Sequence, residues 1–276
     1  MSRLRNQIRH YHREFDGLIG RLFSSKKTLK NMRRDQSSKI NPAQDDSLAY
    51  SRQDHFSKFH LMDVHQNQNP ATCDLKVYQD LFVYSYIIDN LRKGAKILEI
   101  GGGESRVIEA LKDDYEFWNL DRLEGQGHGP TSIYADSGFH LVRENIGNFS
   151  SELPEDYFDL VFSISVVEHF FEDEKSLENI YADIQRIMKK NAISLHCVDA
   201  LLHSDHIWFH PFIHKVAQTT EVIDLDKLSR QIYADRQLWV LPKFAYYTRW
   251  FPKTKSTMKK FGQPFSVNLL WQKAGQ

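Results

Sequence analysis

The sequence predicts an α/β fold: a doubly wound, mostly parallel sheet behind an N-terminal basic helical arm. Three observations predict it. A short apolar run, Lys96-Ile97-Leu98-Glu99-Ile100, passes directly into Gly101-Gly102-Gly103 and then into a helical period through Val107, Ile108 and Leu111. That is the strand, glycine turn and helix of nucleotide-type sheets. Further apolar runs alternate with helical patterns downstream, as a parallel sheet requires. The first 34 residues hold ten Lys and Arg against two acids, Glu14 and Asp16.

The formal charge of the 276-residue chain is zero, but the arm is +8, so residues 35–276 carry −8. Leu4, Ile8, Tyr11, Phe15, Leu18 and Leu22 recur at helical steps, with most arginines on the other face. Such a helix packs on the body or on a second subunit, lies on an anionic membrane, or meets RNA phosphates. Its Arg-rich, acid-poor composition is also that of an organelle transit peptide. Residues 35–56 are polar and turn-rich and read as a linker. The division is therefore residues 1–56, arm and linker, and residues 57–276, the folded domain. With 41 % hydrophobic and 26 % charged residues, disordered and collagen-like classes are excluded. Cys73 and Cys197 alone cannot make a disulfide framework, so a reducing, cytoplasmic setting is expected. No secretory signal and no spanning helix are expected.

In the domain, Leu75–Leu91 reads as a helix closed by Lys93-Gly94. The strand over 96–100 follows, then the glycines, where a ligand can approach backbone that carries no Cβ. Tyr115–Asp121 is the next strand. Its terminal acid lies about 20 residues past the turn, placed to hold ribose hydroxyls. Phe139–Arg143 is a third strand. Leu160–Val167 is the apolar centre of a fourth, and Glu168-His169 is expected to open the next helix. Ala182–Met188 continues that helix, and Ala192–Val198 is a fifth strand. Phe265–Gln272 partly alternates and ends the chain.

The dinucleotide fingerprint would need glycine where Arg106 stands, which disfavours NAD. Leu98-Glu99-Ile100-Gly101-Gly102-Gly103 instead resembles the first motif of class I S-adenosylmethionine-dependent methyltransferases, with Ser105 replacing the third glycine of the longer motif. The stretch from Leu153-Pro154 through Phe158-Asp159-Leu160-Val161 to Glu168-His169 looks like the same family's fourth strand. The resemblance covers about residues 75–200. It implies a seven-stranded Rossmann-like sheet whose antiparallel seventh strand is Phe265–Gln272, and S-adenosyl-L-methionine as cofactor.

The resemblance places Gly101, Gly102 and Gly103 beside the cofactor's methionine portion and ribose, and Asp121 on the ribose hydroxyls. Glu99, costly to bury without a partner, is expected near the amino group. Asn145 and Ile146 are the adenine candidates, with Asp136 competing if the third strand is misplaced. Ser163 lies where the fourth strand meets the cofactor. His169 can accept a proton from a hydroxyl acceptor or bond a carbonyl structurally. Past the fifth strand, 199–262 reads as a substrate lid. Its His203 and His206 are further candidate bases. No metal is expected, because His203, His206, His210 and His214 match no tetrahedral signature.

The expected function is in-line methyl transfer to a small-molecule, glycan or lipid-type acceptor, with peripheral membrane contact through residues 1–34. A non-catalytic Rossmann-like binding or membrane-associated protein is the alternative, and an NAD-type oxidoreductase a more distant one. No nucleic-acid partner is expected: the domain is acidic and no aromatic–basic patch accompanies the lid.

Overall fold

The computed structural model describes residues 46–276, except 66–68, 126–129, 134–137, 170–172, 221–222 and 274–276. The chain divides into a unit over residues 1–38 and a unit over residues 39–276. The basic helix lies outside the described residues.

Four parallel strands form the centre: β1 (Lys96–Ile100), β2 (Glu116–Leu120), β3 (His140–Val142) and β4 (Phe158–Ile164). β2 and β4 flank β1 in parallel register, Glu99 opposite Asn119 on one side and Phe162 on the other. β3 extends the sheet beyond β2. These strands are near-continuous apolar runs because both faces are covered. One face packs α1 (Leu75–Asn90) and α2 (Arg106–Leu111) over Ile97, Phe117, Leu160 and Phe162. The other packs α3 (Glu174–Ile187), α4 (Pro211–Thr220) and α5 (Leu225–Ala234) over Leu98, Val161 and Val198. Burying one such Leu, Val or Phe contributes about 1.5–3 kcal/mol.

Ser105 explains its own place in the motif. Its backbone is extended (φ −64°, ψ 127°), and its hydroxyl accepts from the Ile108 amide to cap α2. That position needs a cap, and no positive φ calls for glycine.

Three boundaries differ from expectation. Glu168-His169 does not open α3: residues Val167–His169 form a single tight turn. The helix starts later because the Asp173 carboxylate caps it by accepting from the Ser176 amide. α3 then runs without a loop into β5 (Met188–Leu202), which is much longer than the apolar run suggested. The polar Lys189-Lys190-Asn191 belongs to that strand, at an irregularity where Asn191 has φ 64° and the pairing with β4 shifts register. The sheet has seven strands, but β6 (Ile207–Trp208) is a two-residue antiparallel strand.

β7 (Gln263–Gln272) pairs antiparallel with β5 from Ile193 to Leu202 along one edge. β4 occupies the other edge only as far as Ile164, opposite Cys197. Since β6 pairs with Leu201 and Leu202, it must stand on β4's edge, beyond the carboxyl end of β4. The chain after β5 thus overhangs the end of β4. Cys73 and Cys197 are free and buried, and no described helix is long and apolar enough to cross a membrane.

Candidate functional site

β1 delivers Glu99 and the glycines to the carboxyl edge of the sheet. Gly101 (φ 68°) and Gly103 (φ 51°) hold the left-handed conformation that favours glycine. A Cβ on Gly101 would lie 2.5 Å from Val166 Cγ1, and one on Gly102 would lie 2.8 Å from Asn119 Oδ1. The Gly101 amide donates to the Leu120 carbonyl at the end of β2. The Asn119 side chain clamps the turn, accepting from the Gly102 amide and donating to the Gly103 carbonyl.

Asp121 stands just past β2. One carboxylate oxygen accepts from the Gly103 amide at 2.9 Å, the other from the Leu123 amide at 2.7 Å. Each oxygen keeps a lone pair for a further donor. Asp121 therefore ties the glycine turn to the β2 edge and can still receive hydroxyls.

Glu99 is buried and its Oε2 has no hydrogen-bond partner. Burial pushes its carboxyl up to about 7, against smaller lowering effects from Ser105, Lys76 and Arg106. A buried acceptor at the edge of a ligand turn, with one oxygen unmatched, suits a cationic donor brought by a ligand. The glycine turn, the open lone pairs of Asp121 and this oxygen together fit the ammonium and ribose groups of the expected cofactor.

Beside the turn lies a polar cluster that sequence reasoning missed, anchored on α1 and set against the end of β4 and the middle of β5. Lys76 Nζ donates to the Ile164 carbonyl at 2.6 Å, at the end of β4. Gln79 Nε2 donates to Asp199 Oδ1 at 2.9 Å, and Ser165 Oγ donates to the same oxygen at 3.1 Å and to Gln79 Oε1. Ser165 has φ 49° and its amide donates to the Cys197 carbonyl. Burial raises the Asp199 carboxyl despite the Gln79 and Ser165 hydrogen bonds. Asp80 is held below the ordinary carboxylate range against desolvation, by His65 (2.8 Å) and Arg106 (2.5 Å). Val166 joins the two halves, touching the space above Gly101 and following Ser165 directly. The signal was available in α1: Gln79 and Asp80 are polar yet sit among Tyr78, Leu81 and Phe82, all buried.

The other expected residues are distributed unevenly. Ser163 is fully buried, its hydroxyl 2.7 Å from His196 Nδ1 inside the sheet. Its side chain is turned into the sheet, which leaves its backbone as the part of Ser163 that faces the strand's end. His196, burial pushing it down to about 3, is neutral between Ser163 and Ser194. Ile146 is 5 % exposed and packs in the core with Leu98, Leu120 and Val142. Asn145 stays half-buried in the turn after β3, its amide bonded to the Glu144 carboxylate. Asp136 lies outside the described residues. His169 is exposed in the turn after β4, one turn from Ser165. His203 and His206 stack at 4.4 Å in the β5–β6 hairpin. His203 is six residues past Cys197, about 20 Å along an extended strand beyond the level of β4's end. The structure does not bring these two to the glycine turn. His206 instead lines a cavity of about 530 Å³ with Trp208, His214, Lys215 and Glu174. Among the described residues no cluster of His, Cys, Asp or Glu could hold a metal ion.

Residues 98–195 match a family model described as a methyltransferase domain. No curated protein matches the chain. Solved structures similar to it include a TehB-like SAM-dependent methyltransferase from Corynebacterium glutamicum, 21 % identical, covering 48 % of this chain and 67 % of that one at a TM-score of 0.36. Another is the YcgJ protein of Bacillus subtilis, 14 % identical over 68 % of this chain and 95 % of that one, TM-score 0.42. A third is Haemonchus contortus phosphoethanolamine N-methyltransferase 2 in complex with S-adenosyl-L-methionine, 15 % identical over 72 % and 58 %, TM-score 0.41. These likenesses are distant, and no acceptor is argued from them.

Proposed function

We propose, on the premise that residues 98–195 carry a methyltransferase domain, that this chain transfers a methyl group from S-adenosylmethionine in line to a small-molecule, glycan or lipid-type acceptor lodged against the polar cluster of α1, Ser165 and Asp199. The observation that carries the reading is Glu99 Oε2, buried and unpaired beside a positive-φ glycine turn that Asp121 closes.

The bound cofactor would supply an activated methyl group on a sulfonium. Everything else falls to the chain. Glu99 receives the ammonium group and Asp121 the ribose hydroxyls, while the Gly101–Gly103 backbone lets the ligand lie close. Val166 stands between that turn and Ser165, so a nucleophile bound against Ser165 and Asp199 arrives beside the methyl group. Holding two reactants in such a geometry removes about 7–11 kcal/mol of barrier. A neutral hydroxyl acceptor gives its proton to Asp199, whose carboxyl burial raises, or to the exposed His169. An amine that arrives neutral needs neither. Lys76, fixed to the end of β4, balances the acids Glu99, Asp80 and Asp199.

Incubation of the full chain with methyl-labelled S-adenosylmethionine and fractionated metabolite, glycan and lipid extracts tests the reading. Label is expected in one acceptor class with wild-type protein and not with Asp121→Ala. No cofactor binding by calorimetry, or binding of NAD instead, refutes it.

A further inference from the structure

The segment 243–260 carries six basic residues and no acid: Lys243, Arg249, Lys253, Lys255, Lys259 and Lys260. This local +6 sits in a body, residues 35–276, whose sum is −8, so it runs against the sign of its surroundings. Within it, Phe244, Tyr247 and Phe251 are 44, 45 and 37 % exposed. Spaced three and four residues apart along the helical stretch 243–254, they lie on one face. The Tyr247 and Phe251 rings meet at 5.7 Å between centroids, tilted by 48°. The sequence reading missed this aromatic–basic patch, which lies within the 199–262 lid segment itself.

The stretch is firmly mounted. Ala245, Tyr246 and Met258 are buried against the α1 face, and the Tyr246 hydroxyl donates to the Ser256 carbonyl at 2.8 Å. The aromatics are exposed while their neighbours are fixed inward, so the stripe is a surface of the fold. Arg249 and Trp250 bond Asp74, the residue that precedes α1. Two residues on, Lys76 reaches the end of β4. The patch is thereby tied to the carboxyl edge of the sheet.

We infer that residues 243–260 dock on an anionic lipid bilayer. Three apolar rings on one face, with exposed lysines at the flanks, form an interfacial surface: rings enter the headgroup boundary and ammonium groups meet lipid phosphates and carboxylates. The basic set favours a bilayer over a nucleic acid. Its one arginine, the residue suited to forked phosphate and base contacts, is engaged by Asp74. The five lysines, point charges on long stems, make no ion pair among the described residues. The docking stands independently of the methyl-transfer reading. Where both hold, it brings the carboxyl edge of the sheet to the headgroups.

Flotation of the full chain with vesicles of phosphatidylcholine, with and without phosphatidylserine, tests it. Wild type is expected to float with the anionic vesicles at low salt and to release as salt rises past about 0.1 M, where exposed charges are screened within about 10 Å. Each lysine near the surface contributes on the order of fivefold. The quadruple variant K253Q/K255Q/K259Q/K260Q should lose at least about tenfold of its partitioning. The equally charged control K93Q/K175Q/K190Q/K227Q should keep it. Phe244→Ala with Phe251→Ala should weaken binding at all salt concentrations. All these side chains are exposed, so an unchanged melting temperature is the check on folding. Unaltered flotation of the quadruple variant means the basic arm or another surface does the binding and overturns the inference. So does a wild type that ignores vesicles, and so does one that instead shifts a single-stranded oligonucleotide through these lysines.

Discussion

Replacing Glu99 by glutamine isolates the group on which the cofactor reading depends. The carboxyl is 4 % exposed, with one oxygen unpaired, and burial moves it from 4.5 to about 7. At 1.36 kcal/mol per unit, that gap is worth about 3 kcal/mol. The sign follows from which state holds the proton. Below the unfolded value both states are protonated and nothing is lost. As pH rises from there to about 7, the unfolded chain ionises freely and the folded chain does not, so stability falls. Above that point the ligand-free protein carries the full cost of a buried carboxylate. Glu99→Gln removes the cost, so its melting temperature relative to wild type should climb between pH 5 and pH 8 by roughly 5–10 °C for a chain of this size. A ligand that brings an ammonium group to Oε2 reverses the balance. Wild type should then bind S-adenosylhomocysteine more tightly as pH rises through 7, releasing a proton less with each step, while the glutamine variant stays flat. Calorimetry and thermal melts across pH 5–8 read both effects. Parallel melting curves for the two proteins, together with equal pH slopes in binding, would refute the argument from burial.

Asp121→Ala should weaken cofactor binding by about 1.5–3 kcal/mol in a protein that still folds, because hydroxyls lose a charged acceptor; calorimetry measures it, and an unchanged Kd would assign the ribose elsewhere. Gly101→Ala combines a left-handed φ with a Cβ driven into Val166. It should cost about 2–5 kcal/mol in urea unfolding from backbone strain and overpacking, and a stable, normally binding variant would show that the turn is pliant. Deleting residues 1–34 should leave cofactor binding intact and change what the chain associates with. Loss of cofactor affinity on deletion would make the arm part of the site.

The central sheet was legible because its signals are local and redundant. β1, β2 and β4 are apolar runs of the right length, the glycines follow a strand, and Asp121 ends one. The site's other half was not, because its residues make sense only in three dimensions. Gln79 and Asp80 look like the solvent side of an amphipathic helix, but both are buried, Gln79 bonded to Asp199 and Asp80 to Arg106. The Ser163 hydroxyl pairs inward with His196, a contact between neighbouring strands that no local pattern announces. Lys189-Lys190-Asn191 reads as a loop, yet the pairing of β7 pulls it into a strand. The helix start was misplaced for a related reason: Asp173 can cap as well as any earlier residue, and only the tight turn over Val167–His169 decides between them.

The long β5 has a consequence for traffic through the site. Its outer half is hydrogen-bonded by β7 through Leu202, and its last two residues, Leu201 and Leu202, carry β6 on the other edge. Backbone held on both sides does not swing: opening the overhang would mean unzipping a ladder, at a cost closer to that of unfolding than of moving a loop. Amides of residues 201 and 202 should therefore exchange with deuterium as slowly as those of β4. Entry would then be through an aperture of fixed frame, selected by size and shape, with turnover set by the chemistry and by passage of side chains at the rim.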